Sequence, residues 1–231
     1  MSGMHRQLEI YIEEICNRLR ELYELSTGAF MKSMKAFELL DQDMASEVKE
    51  NSQTLEDLTG KVESNVFETI ARRQPVASDL RRLATYLQVA HHLHRVGRYA
   101  YKIAHIVKLC EGMEHFKELE SLPYVADLAN KTLEIAMKGV LENDLSDIDD
   151  LEKMEADSDR ETSEMFEEIV EYLRKRKDIT TMAMFYVIVG RYCERAADQA
   201  FAIAERAVYM VTGEKKKLGL AYKGSAPEAP H

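Results

Sequence analysis

Glu194 and Asp198 stand four residues apart, as do Glu155 and Asp159. On an α-helix that spacing puts both side chains of a pair on one face, about one turn apart. If the two segments are antiparallel neighbours, four carboxylates converge on one surface. An all-oxygen set of this kind suits hard or borderline cations such as magnesium, calcium, manganese or iron. The same pairs are also ordinary on solvated helices in a chain with 41 acids. A ferritin-like di-iron centre needs Glu-x-x-His on two helices, and no helical segment of this chain carries that motif.

A second set is basic. His91, His94, Arg98, Lys102 and His105 fall on one stripe of a single helical segment, and His94 and Arg98 occupy the positions that Glu194 and Asp198 occupy later in the chain. From Ala71 to Cys110 there are eight Lys/Arg and one acid, whereas Leu141 to Glu171 holds fourteen acids and two bases. Guanidinium cannot coordinate a cation but pairs with carboxylate or phosphate. This face therefore either forms salt bridges with acidic helices, within the molecule or across a dimer, or receives an anionic partner or inorganic anion. There is no Gly-rich phosphate loop, Ser-His-Asp order or Cys-His nucleophile signature, and no residue set points to catalysis.

The elements that must position these groups are helices. Leu8, Ile12, Ile15, Leu19, Leu22 and Leu25 recur at spacings of three and four, continued by Phe30, Met34, Phe37 and Leu40, which is a helical stripe. A second helix is expected from about Gln42 to Arg72, ending before Pro75 because a proline pushes its predecessor out of the α region. A third runs from Ser78 and Asp79 to Gly112. The second half repeats the plan, with helices expected at about 118–143 and 148–176, and from Thr180, capped by Asp178, to Gly213. Leu93-His-Arg-Val-Gly-Arg-Tyr-Ala-Tyr-Lys-Ile-Ala104 lies 100 residues before Cys193-Glu-Arg-Ala-Ala-Asp-Gln-Ala-Phe-Ala-Ile-Ala204. Arg95 matches Arg195, Ala100 matches Ala200, and Ile103-Ala104 matches Ile203-Ala204 without gaps, so a duplication explains the pattern. The expected architecture is all-α, with two tandem antiparallel three-helix bundles, each with its own core. The expected units are a first repeat over 1–113, a second over 114–213 and a flexible tail over 214–231.

With 231 residues, 10 Gly, 4 Pro and no Trp, the composition leaves room for long helices. A net charge of −10 excludes a generally basic nucleic-acid binder. No apolar run approaches the ~20 residues of a membrane helix, and the amphipathic start is not a signal peptide. Cys16, Cys110 and Cys193 are odd in number and far apart, which fits free thiols in a reducing cytoplasm. No direct membrane insertion is expected.

Two stretches resemble a known family. Ile70-Ala-Arg-Arg-Gln-Pro-Val-Ala-Ser-Asp-Leu-Arg81 is similar to the Arg-Gln-Pro-x-Ala-x-Asp-Leu-Arg signature of the PhoU family. Cys193-Glu-Arg-Ala-Ala-Asp198, continuing to Tyr209-Met-Val-Thr-Gly213, is similar to that family's last helix with its closing Gly. The resemblance implies a cytoplasmic adaptor that restrains phosphate uptake and the phosphate-starvation response, beside the ATPase subunit of a phosphate ABC transporter and a sensor histidine kinase, as a homodimer. It further implies iron or zinc (or another divalent cation) held on the bundle surface by Glu/Asp-x-x-x-Asp motifs. By position these are Glu194 with Asp198 and Glu155 with Asp159. The first repeat departs from the pattern at His94 and Arg98. Gln53, Gly60 and Ser64 stand on its preceding helix with Asp57 as the remaining carboxylate, so no metal is expected there. Two alternatives remain open: a metal-binding or storage bundle, and a PhoU-like accessory of another ion transporter.

Overall fold

The computed structural model describes residues 2–219, with side chains from residue 7 onward. The helices are α1 (Ser2–Leu39), α2 (Gln42–Glu50), α3 (Ser52–Arg73), α4 (Ala77–Leu109), α5 (Ser121–Glu142), α6 (Leu151–Lys175) and α7 (Thr180–Thr212), with one short 3₁₀ turn, Ile148–Asp150, leading into α6. Helix α2 and helix α3 form one broken element. Asn51 between them keeps right-handed φ/ψ (−70°, −9°) and donates its N–H to Glu47 O. Counted as one element they give the expected six helices, in two antiparallel three-helix bundles.

Local chemistry sets the ends. Asp41 caps α2 by accepting from the N–H groups of Asp43 and Met44, both at 2.9 Å, which satisfies donors that the first turn leaves orphaned. Gln74 leaves α3 in the left-handed region just before Pro75, and Gly213 ends α7 at φ 80°, where a Cβ would be strained. Asp178 does not cap α7. Its carboxylate accepts from the Arg176 guanidinium at 2.6 Å, and this charge-assisted bond leaves Ile179 at the cap position without a side-chain bond.

In packing, α1 lies against α4, α3 against α1 and α4, α5 against α7, and α6 against α5 and α7. Helices α4 and α7, the last of each repeat and 33 residues long each, pack directly on each other. Instead of a separate core in each half, the buried residues form one continuous cluster. The physical reason lies in the burial pattern of α4. Thr85-Tyr86, Val89-Ala90, Val96-Gly97, Tyr99-Ala100, Ile103-Ala104 and Ile106-Val107 are all buried, a band too wide for one partner face. On α7, Cys193 reaches Met34 of α1 at 3.6 Å between sulfurs.

The link between the bundles is pinned by His115. Its Nε2 lies 3.0 Å from Phe37 O and 3.1 Å from Glu38 O at the end of α1, and its Nδ1 lies 2.8 Å from the hydroxyl of fully buried Tyr186. Donation from Nε2–H to the α1 carbonyls leaves Nδ1 to accept from the tyrosine, so one neutral tautomer satisfies every contact. Beyond α7, residues 214–219 turn back along the helix. Leu218 is buried, its N–H donates to Glu205 Oε1 at 3.0 Å, and Lys217 pairs with the same carboxylate. The remainder of the expected tail, 220–231, lies outside the described residues.

At Gly139 α5 runs close to α7: a Cβ there would sit 2.9 Å from the Cβ of Ala207. Gly139→Ala is therefore expected to lower the unfolding free energy by about 1–3 kcal/mol. Gly28 is exposed on α1, and a methyl added there would meet nothing within 4 Å. Gly28→Ala should gain about 0.5–1 kcal/mol. Urea unfolding of the two variants checks both signs.

Candidate functional site

The second repeat brings three of its four expected carboxylates into one field. Asp159 lies on α6, and Glu194 and Asp198 on α7. Asp159 is exposed, and partial desolvation against its neighbours raises its carboxyl above the ordinary value, with Glu194 raising it further. Asp198, exposed as well, is raised by partial desolvation, then by Glu194 and Asp159, against the opposing pull of Arg191 and Arg195. Glu194 also pairs with Arg191, three residues earlier on α7. Glu155 is turned elsewhere, toward the chain that follows α7: a Cβ on Gly219 would lie 3.3 and 3.4 Å from its two carboxylate oxygens.

Among the described residues, no group of three or more His, Cys, Asp and Glu side chains is placed to hold a metal ion. The expected four-way convergence is thus three mutually repelling carboxylates, one of them engaged by a guanidinium. As placed, they do not form the closed oxygen set that a bound iron or zinc needs.

On the first repeat, His91, Arg98, Lys102 and His105 are exposed along α4 and His94 is half-buried. Among the described residues none of the five makes an ion pair. Among the described residues, then, the within-molecule part of the salt-bridge reading is not made. The acidic α6 pairs elsewhere instead, within the helix as Asp157 with Arg160, and with the segment before α5 as Glu168 with Lys117. His94 is held below its usual value by burial and by the neighbouring Arg98, partly offset by Glu56. His94, Arg98 and Lys102 line a cleft of about 330 Å³ with Ser52, Glu56 and Tyr101. Its floor is Gly97, where a Cβ would meet Leu55 Cδ1 at 2.6 Å.

Two features were not foreseen. Arg98 and Lys102 also face a second cleft where α4 meets α7, together with Arg95 and Arg195. The signal was present in the exact repeat match of Arg95 with Arg195. The other feature is apolar: Phe166 and Ile188, 53% and 37% exposed, line a groove of about 370 Å³ between α6 and α7.

The two motifs of the resemblance meet in space. The Arg81 guanidinium lies 3.6 Å from where Gly213 would carry a Cβ, so the start of α4 in the first repeat touches the end of α7 in the second. Arg73 lies over the Tyr11 ring, 4.7 Å from its centroid, and donates to the Tyr11 hydroxyl and to Gln7 Oε1, each at 3.0 Å. That cation–π contact fixes the end of α3 against α1. Among the described residues no helix is long and apolar enough to cross a membrane.

Comparison with known proteins agrees with this architecture. The PhoU domain pattern matches twice, over residues 19–107 and 122–207. A phosphate-specific transport system accessory protein PhoU homolog from Clostridium acetobutylicum is 24% identical over 208 residues, covering 90% of this chain and 95% of that one. A homolog of the same description from Methanothermobacter thermautotrophicus is 24% identical over 209 residues, covering 88% and 90%. In fold, the chain superposes on the crystal structure of PhoU from Pseudomonas aeruginosa with a TM-score of 0.84 at 23% identity, covering 89% of this chain and 99% of that one.

The raised carboxyls give a pH signature. A carboxyl raised on folding binds its proton more tightly in the folded chain, so its stabilising contribution is present at low pH and is lost as pH rises through the raised value. Asp198→Asn is therefore expected to raise Tm at about pH 7, with the gain vanishing near pH 3, where Asp198 is protonated in both states. Thermal unfolding followed by circular dichroism across this range checks the sign.

Proposed function

The chain belongs to the PhoU family, and from that premise we propose that it is a non-enzymatic regulator of phosphate uptake and phosphate-starvation signalling. It acts on the cytoplasmic side of the membrane, as a homodimer, through contacts with the ATPase subunit of a phosphate ABC transporter and with a sensor histidine kinase. The observation that carries this reading is end-to-end similarity. Both repeats match, and relatives named as phosphate transport accessory proteins align over about nine-tenths of their own length.

The surface supports action by docking. Phe166 and Ile188 expose apolar area in a groove, and aromatic side chains in grooves serve as anchors for a partner's side chains. The groove is flanked by Arg191, Glu194 and Arg195, a charged rim that would orient what binds there. The storage alternative is less well supported, because a store needs assembled metal donors and the described residues present none. An accessory role for another ion transporter rests on the same fold, and the transported ion separates the two.

In a strain lacking this protein, phosphate uptake under phosphate-replete conditions should rise several-fold and fall again when the wild-type chain is restored. A Phe166→Asp/Ile188→Asp chain, shown folded by circular dichroism, should neither restore control nor co-purify with the ATPase subunit. Unchanged phosphate uptake alongside altered flux of another ion would transfer the protein to that transporter.

A further inference from the structure

Helices α4 and α7 meet about a local two-fold relation. Tyr99 of α4 stacks on Tyr192 of α7, with centroids 5.9 Å apart and planes 23° apart. The equivalent pair, shifted by the repeat length, is Gln199 of α7 with His92 of α4, where Oε1 and Nδ1 are 2.9 Å apart. Arg95 and Arg195, matched in the repeat, stand on either side of this relation. Beyond them the two repeats differ: the first continues with Arg98 and Lys102, the second with Asp198 and Ala202.

The result is a cleft on the Tyr99–Tyr192 side, about 440 Å³ in volume, lined by Arg95, Arg98, Tyr99, Lys102, Tyr192 and Arg195. Four of its six lining residues are cations and none is an acid, in a chain of net charge −10. Among the described residues none of the four makes an ion pair. The polar contact of this set within the cleft runs from Arg95 to the Tyr99 hydroxyl, at 3.4 Å. The carboxylate whose field Arg195 enters is Asp198, on the mate side of the relation. Four like charges around a concave surface repel one another and focus a positive potential into it, and a multiply charged oxyanion relieves the repulsion through bidentate guanidinium bonds.

We propose that this cleft binds a small phosphoryl polyanion carrying a di- or triphosphate group. Four cations on two helices offer more positive charge than one orthophosphate carries, and a chain of two or three phosphates matches it better. The concave wall and the paired tyrosines favour a compact ligand over the flat face of an acidic protein. The charge reversal at Arg98 is then a gain of an anion site, made when one side of a duplicated contact diverged. The proposal stands apart from the transporter reading, because it is read on the isolated protein.

Isothermal titration calorimetry of the full chain at about 0.15 M salt, with orthophosphate, pyrophosphate, tripolyphosphate and ADP in turn, tests it. Pyrophosphate or tripolyphosphate should bind with one site per chain and more tightly than orthophosphate. Arg98→Gln/Arg195→Gln should weaken binding by at least about tenfold, the scale of one lost charge-assisted contact. Lys61→Gln on α3 should leave binding unchanged, and melting curves confirm that each variant is folded. ADP binding tighter than pyrophosphate would assign the ligand as a nucleotide, and equal or weaker binding would assign it as the phosphate chain alone. No binding of any phosphoryl anion, equal binding by the double variant, orthophosphate binding as tightly as pyrophosphate, or binding of poly-glutamate only would each overturn the proposal, the last in favour of an acidic protein partner.

Discussion

The packing of α4 against α7 is the contact on which the other parts of this structure depend. Each helix closes its own three-helix repeat, and each also forms the wall that the other repeat packs on. A helix in that position must be apolar over more than one stripe and slim enough for close neighbours. Ala100, Ala104, Ala196, Ala200 and Ala204 are fully buried on the two helices, and residues of this size let helix axes approach at the short end of the usual 8–10 Å range. Without this contact two small bundles would each leave an apolar face in water, at a cost of roughly 25 cal/mol per Å². With it, one continuous core serves both halves.

The same contact distributes the chemistry. Because α4 and α7 are copies meeting face to face, any residue retained since duplication appears on both sides, as Arg95 and Arg195 do. Any residue that diverged gives the two sides different characters. Divergence at Arg98 and Asp198 produced a cationic cleft on one side and a field of carboxylates on the other. The acidic α6 extends the negative side, and between it and α7 lies the groove that exposes Phe166 and Ile188. Helix α7 lines both the cationic cleft and the apolar groove, so the two surfaces share one element.

Much of the frame was legible in the sequence. Spacings of three and four, Pro75, Gly112 and Gly213 located the helices, and the 100-residue offset revealed the duplication. The break at Asn51 was hidden because that residue keeps nearly helical dihedrals, so the apolar rhythm of Val48, Leu55 and Leu58 crosses it undisturbed. The expected Asp178 cap failed because a nearby arginine offered a stronger partner than a backbone N–H. His115 gave no signal at all, since its three partners come from α1 and α7 and only the tertiary fold assembles them. At the site, the composition of each face was readable, but its pairing was not. Periodicity places Glu155 beside Asp159 without showing that it turns to Gly219, and it matches Arg95 with Arg195 without showing that both line one cleft.

Residue-resolved hydrogen exchange as a function of urea tests the central claim, that α4 against α7 joins the repeats into one cooperative unit. The account predicts that the slowest amides of α4, around Leu93, Val96 and Ala100, and those of α7, around Val189, Cys193 and Ala196, exchange with one common free energy and one common urea slope, equal to those of global unfolding. Two sets with separate free energies and slopes, one for α1–α4 and one for α5–α7, would contradict it.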